Sequence, residues 1–263
     1  MGTLFFQMWE PHRRSLIKAH SFYFSQAMTR LLGQFENIDE ESNQENDRWL
    51  AEQASFFDPE RDDPSDHFQS AYDASIEFHQ MLWEMRETTQ LSIVAGIYHR
   101  WDKQLRDWLV KEARHAIGHT EVAKAIWRAD FPATMDLMES MGYQVHNSAF
   151  FGKLDACRLV VNVYKHGPGI SLTELKRNYP QYLSHAFQTD LPTDVERMGY
   201  TNLRVTDDHL REFSDAIIEF WMRMPQEVSE LVNAPEWLVK AHEKDLASTR
   251  RSLELRQTEG HHF

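Results

Sequence analysis

Between His67 and Gly118 the chain carries no proline, and its apolar residues keep helical spacing throughout. Proline inside a helix removes a hydrogen bond and clashes with the preceding turn. Without it, this stretch can run as one very long helix or as two joined tightly, with Gly96 and the Thr88-Thr89 pair as its weak points. The rest of the fold must pack along such a rod. Val94, Tyr98, Trp101, Leu105 and Trp108 recur at spacings of 4, 3, 4 and 3, the stripe of a helix buried against other helices.

Further helices read on either side. Leu16, Ala19, Tyr23, Ala27, Leu31 and Phe35 predict a first helix from Arg13 to Phe35. DPERDDPSD at 58–66, with two prolines and five acidic residues, is the clearest loop. Short helices are predicted at 120–129 and 132–141, broken near Phe131-Pro132, and another at 148–166. Gly167, Pro168 and Gly169 end that last one, because glycine tolerates the left-handed cap and proline cannot extend the turn. Ser171 and Glu174 have capping-box spacing for a short helix. Thr206 can cap the next, which runs to Pro225, and a final helix is predicted at 235–256. Only Leu203-Arg204-Val205 reads as a short strand. The expected fold is all-α, a single helical-bundle domain over 1–263 around the central 148–166 helix. The Val94–Trp108 stripe and Ile217, Ile218, Phe220 and Trp221 should pack it, and an acidic, loop-rich segment should lie at 36–66.

Composition fits this picture. With 41% hydrophobic and 12% aromatic residues, the chain is far from the composition that leaves proteins disordered. No uncharged apolar run reaches the roughly 18 residues of a membrane-spanning helix, and the N-terminal residues lack the order of a signal peptide. The single cysteine, Cys157, excludes an internal disulfide and fits a reducing compartment. The expected location is the cytoplasm. Net charge is −13, yet residues 36–66 hold twelve Asp and Glu against two Arg, a surplus of ten, which leaves −3 for the remainder. The acidity is therefore local: a solvated edge, or a docking strip for a basic partner.

Two clusters could carry chemistry. On the 148–166 helix, at about 100° per residue, Asp155, Arg158, Asn162, Lys165 and His166 share one narrow polar sector, while Leu154, Cys157, Leu159, Val160, Val161, Val163 and Tyr164 fill most of the remainder. That sector reads either as a solvated stripe or as a functional face. At the end of the long helix, Glu112, His115 and His119 continue the apolar stripe of Trp101, Leu105 and Trp108. Their spacing suits metal ligands on adjacent turns. A carboxylate on a core-facing stripe needs a partner, and Arg158 is the expected partner of Glu112. No glycine-rich phosphate loop and no nucleophile elbow is present. Cys157 reads as a core thiol.

RLVVNVYKHGPG (158–169), preceded by the long helix that contains YHRWDKQLRDWLVKEARH, resembles the HEPN superfamily of all-helical bacterial and archaeal proteins. In that family an Arg precedes a His by four to six residues on a central helix. Here seven residues separate Arg158 from His166, and apolar Leu159 follows Arg158. The resemblance implies a metal-independent endoribonuclease of a toxin or antiviral system, acting as a homodimer without a cofactor. It assigns His166 to proton transfer, Arg158 to the phosphoryl charge, Asn162 to orientation and Lys165 to substrate binding. RNA is then the expected substrate. Two alternatives stand beside it. One is an inactive helical module that binds nucleic acid, or a partner protein through the acidic segment; the other is a metal or small-ligand site at Glu112, His115 and His119.

Overall fold

The computed structural model describes residues 6–116, 120–184 and 199–259. It is an all-α helical bundle with one minimal sheet. Among the described residues no helix is long and apolar enough to cross a membrane.

The long stretch forms one helix, α3 (Pro64–Ala116), of 53 residues and about 80 Å at 1.5 Å per residue. Pro64 opens it, a position where a missing N–H costs nothing. Asp63 Oδ1 accepts the Ser65 N–H at 2.8 Å. Gly96 does not break the helix. It sits where a Cβ would collide with the Tyr23 hydroxyl, so glycine there permits a close approach.

Before it lie α1 (Glu10–Ala27) and α2 (Ile38–Gln53). The expected first helix starts three residues earlier than predicted, and its end changes pitch: Met28–Leu32 is a π turn and Gly33–Phe35 a 3-10 turn. The 36–66 segment, expected to be loop-rich, is corrected to helix over Ile38–Gln53. No Pro or Gly interrupts those residues, and Asp39, Glu40 and Glu41 occupy the first turn, where the helix dipole favours negative charge.

The remaining helices are α4 (Glu121–Arg128), α5 (Phe131–Ser140), α6 (Phe151–His166), α7 (Ile170–Asn178), α8 (Asp207–Arg223) and α9 (Glu236–Glu259). Asp130 caps α5 by accepting the Ala133 N–H, and Thr206 Oγ1 accepts the His209 N–H at 3.2 Å at the start of α8. The expected Ser171 cap is corrected: Gly169 holds the cap position, and Ser171 lies inside the first turn of α7. The strand expected at 203–205 is a single antiparallel bridge, Leu203 to Leu183. The sheet lies elsewhere, pairing β1 (Phe6–Gln7) with β2 (Glu227–Val228).

The chain divides into two compact units of interleaved segments. The first comprises Met1–Ser21, Ile97–Arg158 and Glu212–Phe263; the second comprises Phe22–Gly96 and Leu159–Arg211. The divisions fall inside α1, α3, α6 and α8, so no linker marks them in the sequence. In the first unit Trp101, Leu105 and Leu109 of α3 are buried with Phe213, Ile217, Phe220 and Trp221 of α8, while Ile218 is half-buried. Trp101 meets Phe220 edge to face at 5.1 Å, and the Tyr143 hydroxyl donates to the Phe220 carbonyl. Arg106 is also buried there. It donates to the carbonyls of Ile126 (2.6 Å) and Ala129 (2.8 Å) and pairs with Asp102, so its charge is compensated. His20, with its Nε2 3.0 Å from Ser214 Oγ, is held near pKa 4, chiefly because burial disfavours the charged ring. In the second unit Ile93, Val94, Val160, Val161, Val163, Leu175 and Leu210 are buried, and Arg86 binds both carboxylate oxygens of Asp207 at 3.0 Å.

Candidate functional site

Helix α6 carries the predicted polar stripe, and its members are held by separate local contacts. Arg158 donates from Nε and Nη2 to Asp155 Oδ1 at 2.9 and 2.7 Å, one turn back, and its guanidinium lies over the Phe131 ring at 5.4 Å. Its side chain is 16% exposed, so it is an anchored group and not an extended one. Asn162 Nδ2 donates to Ser171 Oγ at 3.4 Å. Lys165 and His166 are exposed at the helix end, beside Gly167 in the left-handed conformation at φ 74°. Cys157 is fully buried and desolvation pushes its thiol far upward, which removes the thiolate that a nucleophile or metal ligand needs.

Glu112 is half-buried and has a different partner from the one expected. Its Oε2 accepts the Gln7 N–H at 3.0 Å, while the Trp108 indole N–H donates to the Gln7 carbonyl at 3.3 Å. The expected Glu112–Arg158 pair is thus replaced by two independent pairings. Glu112 serves backbone, and a two-residue strand leaves too little pattern in the sequence to foretell that. Together with His12, Ser15 and Lys111 it lines a cleft of about 300 Å³. Burial, then the neighbouring Lys111, lowers the pKa of His12, and Glu112 opposes them. His119 and the side chain of His115 lie outside the described residues. Among the described residues no group of three His, Cys, Asp or Glu is placed to hold a metal ion.

A further surface feature lies within the second unit, along α2 and the first half of α3. The two helices run antiparallel: Asp39 Oδ1 is 3.1 Å from His79 Nε2 near one end, and Trp49 contacts the His67 ring near the other. Small residues, Ser42, Ala71 and Ser75, are buried in this hairpin. A groove of about 240 Å³ between Asp39 and Asn43 on α2 and Ile76 and His79 on α3 shares Asp39 with a larger cavity of about 540 Å³. Glu36, Ile38, Trp83 and Arg86 line the larger one, with the π turn at Met28 and Leu32 as its far wall. Trp83 donates to His79 Nε2 at 3.2 Å and stacks with Arg86 at 5.4 Å.

Phe68, Tyr72, Ile76 and Trp83 fall within a sector of about 80° on α3, at about 100° per residue, and all are exposed, Phe68 by 62% and Tyr72 by 56%. Helix α2, which packs beside this stripe against His67, Ala71, Ser75 and His79, holds six Asp and Glu against one Arg. Sequence reasoning identified the acidic strip but not the aromatic stripe beside it. The spacing of 4, 4 and 7 was readable, although whether the stripe is covered was not.

Neither the protein-family models, the curated proteins nor the solved structures include a match to this chain.

Proposed function

We propose that the chain is a non-catalytic helical interaction module, and that the α2–α3 hairpin docks a basic amphipathic helix of a partner protein. One observation carries this reading: an exposed, mainly aromatic stripe on α3, Phe68, Tyr72, Ile76 and Trp83, reaches a groove at Ile76 and the adjoining cavity at Trp83, and the other wall of that groove is α2, which contributes Asp39 and carries a surplus of five carboxylates. Contiguous exposed apolar surface marks an interaction site. Helix-in-groove recognition uses anchors at this helical spacing, and the surplus of carboxylates selects lysine and arginine on the incoming face while steering its approach. Catalysis on α6 has less support, since Arg158 is already held by Asp155 and Phe131.

The test uses two synthetic amphipathic peptides of equal length, one with leucine and lysine at helical spacing and one with leucine and glutamate. The lysine peptide should bind the full chain one to one, and the glutamate peptide should not. Phe68→Ser combined with Tyr72→Ser and Ile76→Ser should abolish binding while leaving the helical signal intact. Equal binding of both peptides, or unchanged binding by the triple variant, would overturn the docking assignment. Cleavage of single-stranded RNA in excess EDTA, lost in His166→Ala, would replace it with the ribonuclease reading.

A further inference from the structure

A second concave surface, within the first unit, has the opposite charge character. Helices α4 and α9 enclose a groove of about 460 Å³, within the size range of small-molecule sites. Lys124, Arg128, Lys240 and Lys244 stand around it, against Glu121 and Asp130. Those two carboxylates are already engaged: Glu121 Oε1 pairs with Lys124 at 2.7 Å, and Asp130 caps α5 through the Ala133 N–H at 2.9 Å. Lys240 is paired with Glu236. Arg128 and Lys244 have no carboxylate partner among the described residues. In a chain of net charge −13, a groove with two cations left unpaired by carboxylates is a local exception.

The floor of the groove is apolar and the walls are fixed. Ala125, Ala129 and Ala241 present methyl groups beside the Trp237 ring. The Asp245 carboxylate of α9 caps α4 by accepting the N–H groups of Thr120, Glu121 and Val122 at 3.0–3.2 Å, so the two helices are clamped together before any ligand arrives. Such preorganisation lowers the ordering cost of binding. Along α9, Trp237, Lys240, Lys244 and Arg251 lie within a sector of about 60°, which extends the cationic edge beyond the groove. Trp127, exposed on α4 one residue before Arg128 and outside the groove lining, offers a further flat surface around the helix.

We propose that the α4–α9 groove is a binding site for a nucleoside phosphate, its base on the Trp237 and alanine floor and its phosphate between Arg128 and Lys244. Arginine suits this role through its forked donors. The same chemistry is available from a free nucleotide or from the end of a single-stranded oligonucleotide, whose next base Trp127 could stack. This site is independent of the acidic hairpin and does not rest on its function.

Titration calorimetry on the full chain separates the cases, with adenosine monophosphate, a 5′-phosphorylated oligothymidine and inorganic phosphate as probes. The nucleotide, the oligonucleotide or both should bind more tightly than inorganic phosphate, and more weakly as salt is raised. Arg128→Glu with Lys244→Glu reverses two exposed charges without touching the core. It should weaken binding by about tenfold or more, since that factor needs only about 1.4 kcal/mol. Trp127→Ala should weaken the oligonucleotide alone if a strand is the ligand. No binding of either organic probe, binding equal to that of inorganic phosphate, or affinity unchanged in the double variant would overturn the assignment.

Discussion

The two halves of α3 are written in the same alphabet and serve opposite ends. Tyr98, Trp101, Leu105 and Trp108 in the later half are buried, whereas Phe68, Tyr72, Ile76 and Trp83 in the earlier half are exposed. Each set keeps helical spacing, so periodicity identifies an apolar face without revealing whether anything covers it. The lesson is thermodynamic. Burial stabilises at roughly 25 cal/mol per Å² of apolar surface removed from water, and the exposed stripe of the earlier half has not gained that stabilisation.

Trp101→Ala should therefore have the largest effect. Trp101 is 1% exposed and packs on Tyr98, Phe131 and Phe220; removing it should cost about 3–5 kcal/mol, read from the midpoint of urea unfolding. A loss below about 1 kcal/mol would erase the distinction between the halves.

The buried His20 sharpens the same contrast through pH. Its pKa lies near 4 in the fold against 6.5 in the reference state, so the unfolded chain binds the proton more readily. Stability should be complete above about pH 6.5 and decline towards pH 4 by up to about 1.4 kcal/mol per unit. Below pH 4 this group adds no further loss. His20→Gln, which can still bond Ser214, should flatten that part of the profile, and an unchanged slope would assign the acid sensitivity elsewhere.

Smaller effects test the border of the buried region. Glu112→Ala removes the acceptor of the Gln7 N–H and should cost about 1–2 kcal/mol; a double-mutant cycle with Arg158→Ala should show no coupling, because their bonds are separate. The least effect belongs to Phe68→Ala, Tyr72→Ala and Ile76→Ala, each within about 0.5 kcal/mol of wild type. A much larger loss would show that this face is part of the folded core rather than a surface for others.

The helical order of the chain was legible because 3.6-residue periodicity, proline placement and the Thr206 cap act locally. What stayed hidden depends on distant backbone. The sheet of Phe6–Gln7 with Glu227–Val228 offers two residues per strand, too few to show alternation. Glu112 was recognised as a carboxylate in need of a partner, yet that partner is a main-chain N–H more than a hundred residues away, which no side-chain pattern encodes. The α6 stripe was found, but its meaning changed: Asp155 lies one turn before Arg158, and this local ion pair competes with any role in which Arg158 reaches outward. Over residues 38–53 the acidic composition suggests a loop, whereas the absence of Pro and Gly and the three carboxylates of the first turn let a helix form.

The π turn at Met28–Leu32 bears on how the gene can change. A π turn holds one residue more than an α turn, so it is where a helix stores a single insertion. Deleting one residue from this span can be absorbed by conversion to ordinary α-helix, leaving the phase of the residues on either side intact. The same deletion within α3 near Trp101 would rotate every following side chain by about 100°. Length variation among descendants of this sequence should collect at the first position and be excluded from the second.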